Sequence, residues 1–147
     1  MMVTVHTINN LTPSQLKRLG EIWLAGNQQA HHFIPSEYWE KNQAALLAAL
    51  PDAEVTVAVD DQGRILGFAG MQGNELAGLF VDQASRQHGV GTALIRYLQQ
   101  HHRRITLHVY VKNQPAYQFY AQQQFTTIAR QVDDATGEAE LTMQWVG

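Results

Sequence analysis

The sequence predicts an α+β fold: one mixed, mostly antiparallel central sheet with helices on both faces. Short β-former runs with period-two alternation recur from residues 3–8 to residues 139–145. Turn clusters, Asp60-Asp61-Gln62-Gly63 and Gln72-Gly73-Asn74, sit between neighbouring runs as hairpin loops do. Stretches of helical periodicity separate the other runs, so hairpins and crossovers mix in the order β-α-α-β-β-β-α-β-α-β-β. No repeat, linker or low-complexity segment divides the 147 residues. The expectation is a single domain over 1–147, large enough to bury a core.

Each element has a local reason. Residues 3–8 alternate apolar and polar and read as the first strand. In Thr12-Pro13-Ser14-Gln15, Thr12 caps a helix, Pro13 takes its first position and Gln15 completes a capping box. Leu16, Leu19, Ile22 and Trp23 form that helix's apolar face, and Gly26 is its expected stop. Residues 28–33 are then expected as a loop carrying His31, His32 and Phe33. Pro35-Ser36 opens a second helix with Trp39, Leu46, Leu47 and Leu50 as its inner stripe and Pro51 at its end. Strands follow over 54–59, 65–71 and 75–81. A helix then runs to about His102, and a fifth strand occupies 105–111. Asn113 caps a helix reaching about Gln123. Residues 125–132 and 139–145 form a closing hairpin around Asp133-Asp134-Ala135-Thr136-Gly137, with Ala139, Leu141, Met143 and Trp145 on one face.

Composition narrows the function. Hydrophobic content of 45% and charged content of 16% suit a soluble globule. The formal net charge is −3 with no basic stripe, so nucleic acid is not an expected partner. The chain has no cysteine, which excludes disulfides, thiolate-zinc sites and cysteine nucleophiles. His31-His32 lacks a carboxylate at ligand spacing, so no metal is expected. No run approaches the ~18 apolar residues of a membrane span, and the start lacks the charged-then-apolar order of a signal peptide. The expected setting is cytoplasmic, away from membranes. Monomer and homodimer both fit; Trp145 and the closing hairpin offer a partner edge.

The chain is organised around residues 79–94. Leu79-Phe80-Val81 is a compact β-former run, residues 82–85 break it, and an apolar helix begins near Val90. Gly89 and Gly91 stand at that beginning. Glycine weakens a helix, so two in its first turn need a reason. One reason is an anion: the first amides of a helix lack internal partners, the dipole favours negative charge there, and absent Cβ atoms let a phosphate approach. Arg86 adds a positive charge upstream. The other reason is a tight strand-to-helix turn that merely needs glycine.

Arg86-Gln87-His88-Gly89-Val90-Gly91 resembles the Arg/Gln-x-x-Gly-x-Gly/Ala signature of the GNAT N-acetyltransferase superfamily. Asn113-Gln114-Pro115-Ala116-Tyr117-Gln118-Phe119-Tyr120, with Phe125 after it, is similar to the same family's Asn-x-x-Ala-x-x-Phe-Tyr-x-x-x-Gly-Phe segment. Gln124 stands where that segment has glycine. The resemblance implies the GNAT fold, in which the fourth and fifth strands splay apart around the pantetheine arm of acetyl-CoA. It implies that the amides of Gln87, His88, Gly89, Val90, Gly91 and Thr92, with Arg86 beside them, hold the cofactor's phosphates. Leu79, Phe80 and Val81 would offer backbone groups to the pantetheine amides and the acetyl carbonyl, and Asn113 would touch the cofactor.

Acyl transfer to an amine also needs proton traffic. Tyr120 is the candidate general acid by that resemblance: a phenol with reference pKa ~10 is protonated at neutral pH and can supply a thiolate whose thiol has pKa ~8.5. The alternative is a tyrosine packed like Phe119. His108 is the candidate base, in a strand position where relatives acting on peptide α-amines can carry glutamate; the alternative is a strand histidine with no catalytic role. Proton transfer to an imidazole of pKa ~6.5 is uphill by ~2 kcal/mol from an α-ammonium and by ~5 kcal/mol from a lysine ammonium. That favours an α-amine unless a desolvated site lowers the lysine. His31, Phe33, Tyr38 and Trp39 cluster at the junction of the first two helices, which overhangs the acceptor site in the GNAT fold. They line that site, or Phe33 and Trp39 are core and the histidines solvated. The expected activity is direct transfer from acetyl-CoA to a protein or peptide amine, with a small-molecule amine or a non-catalytic acyl-CoA-binding role as alternatives.

Overall fold

A computed structural model describes residues 2–147. The elements are β1 (Thr4–Ile8), α1 (Pro13–Ala30), α2 (Ser36–Ala49), β2 (Glu54–Val59), β3 (Ile65–Gln72), β4 (Glu75–Val81), α3 (Val90–His101), β5 (Arg104–Tyr110), α4 (Gln114–Gln122), β6 (Thr126–Val132) and β7 (Ala139–Val146). They build a seven-stranded sheet in the order β1-β2-β3-β4-β5-β7-β6. Every pairing is antiparallel except β4 with β5. This is the expected α+β architecture in the expected element order.

The sheet is covered on both faces. Leu19, Ile22 and Trp23 of α1 and Trp39 of α2 pack with Val55, Val57 and Phe68 on one face. Ile95 and Leu98 of α3 and Tyr120 of α4 pack with Ala69, Met71, Leu107 and Met143 on the other. The double cover explains why β3 is buried from Ile65 to Met71 without alternation. Local chemistry acts as read at α1, where Thr12 Oγ1 accepts from the Gln15 amide and Gln15 Oε1 accepts from the Thr12 amide.

Two expectations about α1 are corrected. Gly26 does not stop α1, which continues to Ala30, so residues 28–30 are helical. Gly26 is instead buried against β4: a Cβ there would stand 3.4 Å from the Phe80 ring. Close packing, rather than a helix end, accounts for that glycine. At the end of α4, Gln124 adopts the left-handed conformation itself, with φ 74°.

The feature that makes a site is the divergence of β4 and β5. They pair only at Glu75↔Thr106 and Leu76↔Leu107. The β3–β4 register shifts between Gly70 and Met71, which leaves Ala77 as an extra residue on β4. Such a bulge bends its strand, here just where β4 leaves β5. From Gly78 to Val81, β4 pairs with β3 alone, and its other edge carries backbone groups without a ladder partner. The splay expected from the resemblance is present. Arg18 of α1 fixes the far end: its guanidinium donates to Ile65 O at 2.8 Å and to Asp82 Oδ2 at 3.0 Å.

Candidate active site

A cavity of about 560 Å³ occupies the gap between β4 and β5. Leu79, Phe80, Val81, Arg86, Gly91, His108, Asn113, Tyr120, His31 and Trp39 all line it. Residues far apart in the chain, each singled out from sequence, thus meet around one space. Phe33 and Tyr38 stand behind His31 and Trp39 rather than in the lining.

One end is the loop into α3. Gln87 and Gly89 both have positive φ, 66° and 77°. No side chain caps the helix at Gly89, and no acidic residue occupies its first turn. Gln87, His88 and Gly89 are exposed between the lining residues Arg86 and Gly91. Val90 is buried and can contribute only its main chain, while Thr92 is half-buried in the first turn. A Cβ at Gly91 would stand 3.4 Å from the Phe119 ring. Uncapped amides, a nearby guanidinium and no opposing carboxylate suit a phosphate group. The turn reading also holds at Gly89, whose φ favours glycine.

The middle is the free edge of β4. The Phe80 ring packs toward α1 beside Gly26 and meets Phe68 at 5.5 Å. Gly78 permits this, because a Cβ there would overlap the Phe80 ring. Opposite lies Tyr120, buried on α4 between Phe119 and Phe125 at 5.2 and 5.6 Å. Burial pushes its phenol above the ordinary tyrosine range, so it stays protonated through neutral and alkaline pH.

His108 lies across the cavity on β5. Its Nδ1 is 3.3 Å from Gln131 Nε2 and 3.0 Å from Thr142 Oγ1. The Gln131 amide donates there, so the neutral tautomer carries its proton on Nε2, which faces Glu75 Oε1 at 3.5 Å. Glu75 was not anticipated from sequence: it opens β4, and only the parallel register of β4 with β5 brings it near His108.

The remaining wall is aromatic. Asn113 Oδ1 accepts from the Ala116 amide at the start of α4, and its Nδ2 donates to His31 Nε2 at 3.1 Å. His31 therefore holds its proton on Nδ1, which is buried without a partner. Its ring stacks on Trp39 at 5.2 Å and meets the edges of Tyr110 and Phe33 at 5.1 and 5.7 Å. Burial drops its pKa from 6.5 to about 4. His31 is thus half-buried and not cationic near neutrality, whereas His32 is exposed.

Behind this wall, Tyr110 donates to Asp133 Oδ2 at 2.6 Å and Thr136 to the same oxygen at 3.0 Å. Burial, and then the bond to Asp133, raises the Tyr110 phenol. Burial alone would raise Asp133, but hydrogen bonds from Tyr110, Thr136 and the Ala135 amide outweigh it and hold the carboxyl low. Tyr38 is raised by burial and by the Asp133 charge. Tyr110 and Glu140 also line the cavity and were missed. Period-two alternation from His108 could have found Tyr110; Glu140 enters only through the β5–β7 register, opposite Tyr110. Among the described residues no group of three or more histidines and carboxylates could hold a metal ion.

A cleft between splayed parallel strands, closed by a glycine loop at one end and faced by a protonated tyrosine, is a geometry that suits an acyltransferase. The chain belongs to the Acetyltransferase (GNAT) family, whose family model matches residues 16–125. A peptidyl-lysine N-acetyltransferase, YiaC of Escherichia coli, is 37% identical over 134 residues, covering 90% of this chain and 91% of the relative. The solution structure of apo YjaB from Escherichia coli superposes with a TM-score of 0.86 at 26% identity, covering 100% of this chain and 99% of that one. The PaiA N-acetyltransferase of Thermoplasma acidophilum, solved with coenzyme A, has a TM-score of 0.79 at 16% identity, over 100% of both chains. The protein is therefore an N-acetyltransferase enzyme.

Proposed function

We propose that the protein acetylates lysine side chains of proteins or peptides, using acetyl-CoA, by direct transfer within one acetyltransferase domain in the cytoplasm. The observation that carries this reading is the unladdered edge of β4, facing a cavity with uncapped α3 amides at one end and Tyr120 opposite. That arrangement fits acetyl-CoA: an anion site for the diphosphate, free backbone groups for the pantetheine amides, and a donor for the sulfur. Similarity to YiaC, a peptidyl-lysine N-acetyltransferase, supports lysine as the acceptor.

When bound, acetyl-CoA supplies an acetyl group on a thioester, activated toward an amine. In this reading the amides from Gln87 to Thr92 and the Arg86 guanidinium hold the phosphates. Leu79, Phe80 and Val81 provide main-chain donors and acceptors, one amide donating to the carbonyl oxygen as charge develops there. Asn113 orients the arm. Tyr120 gives its phenolic proton to the departing sulfur; burial keeps the phenol protonated and makes it a weaker acid, and the same burial raises the proton affinity of the thiolate beside it. His108 takes the proton released by the amine at Nδ1, the ring nitrogen that carries none in its neutral form, as Gln131 and Thr142 turn away, and Glu75 faces the Nε2 proton. A lysine ammonium is ~5 kcal/mol uphill of an ordinary imidazole. The aromatic wall of His31 and Trp39, with Phe33 and Tyr38 behind it, offsets part of that gap, because desolvation disfavours the ammonium.

The test is calorimetric titration with coenzyme A, followed by thiol release with a lysine peptide and with an α-amine peptide lacking lysine. Binding, turnover on the lysine peptide and a fall in kcat of about 10²-fold or more in Tyr120→Phe are expected. Binding with no turnover on either peptide would leave an acyl-CoA-binding module. Turnover on the α-amine peptide alone would move the acceptor.

A further inference from the structure

Among the three lysines of the sequence, Lys17, Lys41 and Lys112, one is placed unlike the others. Lys17 and Lys41 are exposed on α1 and α2, and neither adjoins a residue lining the cavity. Lys112 adjoins Asn113 and lies two residues beyond Tyr110, both in the lining. Its Nζ stands 5.5 Å from the centroid of the Phe33 ring. The same nitrogen is 3.0 Å from Glu138 Oε1. The side chain thus bridges the α1–α2 junction and the β6–β7 hairpin, whose residues Asp133 and Glu138 frame this side of the site.

An aromatic face and a carboxylate are what a protein uses to receive an ammonium group. Here they receive one from the chain itself. The Lys112 side chain is 60% exposed, so the amine is not locked in place. Its stem is long and flexible, and an exposed ion pair holds it weakly. A lysine acetyltransferase with its own lysine at the acceptor side has a substrate within its own fold.

We propose that Lys112 is an acetylation site of the enzyme's own activity. This rests on the lysine-acetyltransferase reading above. The ammonium loses one proton to His108 or to water, and the neutral Nζ attacks the acetyl carbon of acetyl-CoA. The C–N bond forms, the C–S bond breaks, and coenzyme A leaves as the thiol with the second proton. The product carries no charge at position 112. Glu138 loses its ion pair, the cation over Phe33 disappears, and the acceptor side becomes more negative.

The experiment is incubation of the purified protein with acetyl-CoA and a lysine peptide in one tube, with site occupancies read by peptide mass spectrometry. Heat-denatured protein measures the uncatalysed background. Expected are an acetylated peptide and a Lys112 occupancy at least about tenfold above that of Lys17 or Lys41 and above the background. Lys112→Arg should lose the label at that position with peptide turnover retained and no new label at Lys17 or Lys41. Equal labelling of all three lysines, or Lys112 at background while the peptide is acetylated, overturns the inference and leaves the function standing. An unacetylated peptide overturns the function on which it rests.

Discussion

His31 is a half-buried imidazole on the cavity wall with no charged partner. It is neutral because burial drops its pKa from 6.5 to about 4. Its orientation follows from Asn113, which donates to Nε2 and forces the proton onto Nδ1. The sign of the linkage is fixed by this. The unfolded chain takes up a proton near pH ~6.5, and the folded chain resists it until about pH 4, so the folded state loses stability as pH falls across that window. Denaturant titrations at pH 7, 5.5 and 4.5 are expected to show wild-type stability declining. His31→Gln should decline less steeply, whatever its absolute stability. Equal slopes would mean that the ring is hydrated in solution.

At the scale of elements, α4 carries two demands that its sequence meets unequally. Its start is well made: Asn113 caps it and Pro115 lies in its first turn. Its end places Gln124 at φ 74°, where L side chains are strained and glycine is not. Gln124→Gly is expected to stabilise the protein by about 1 kcal/mol, seen as a rise in Tm of a few degrees, with turnover unchanged. Gln124 contributes no side-chain contact to the cavity, so a loss of activity in that variant would show that the α4 end shapes the site. Gln87 holds a similar left-handed conformation in the loop before α3, where it is part of the proposed anion site.

For the whole molecule, the cavity is the consequence of two cores on opposite faces of a sheet that parts in the middle. α1 and α2 cover β2, β3 and Phe80 of β4 on one face, while on the other α3 spans β1 to β4 and α4 packs beside β5. A ligand in the gap touches both halves and stabilises the fold by mass action. Coenzyme A at about 100 times its Kd is expected to add about 2.7 kcal/mol, or a Tm rise of about 5–10 °C. Gly91→Val places a branched side chain between the proposed phosphate position and Phe119. It is expected to abolish most of that rise; an undiminished rise would move the diphosphate away from the α3 amides.

The sequence alone determined whatever depends on neighbours along the chain. The Thr12 capping box, the Asn113 cap, the hairpin turns and the strands over Glu54–Val59 and Glu75–Val81 are local choices of dihedral and hydrogen bond, written within a few residues. The candidate site was legible to the extent that it repeats such local motifs: the glycines of the α3 loop and the segment from Asn113 to Tyr120. Tertiary structure alone decided what depends on pairing across distance. Gly26 reads as a helix stop until Phe80 is found against it. Glu75 and Glu140 join the site only because strand register brings them beside His108 and Tyr110. The gap itself is a ladder that two strands begin and do not continue, and no short stretch of residues encodes where a partner strand will be absent.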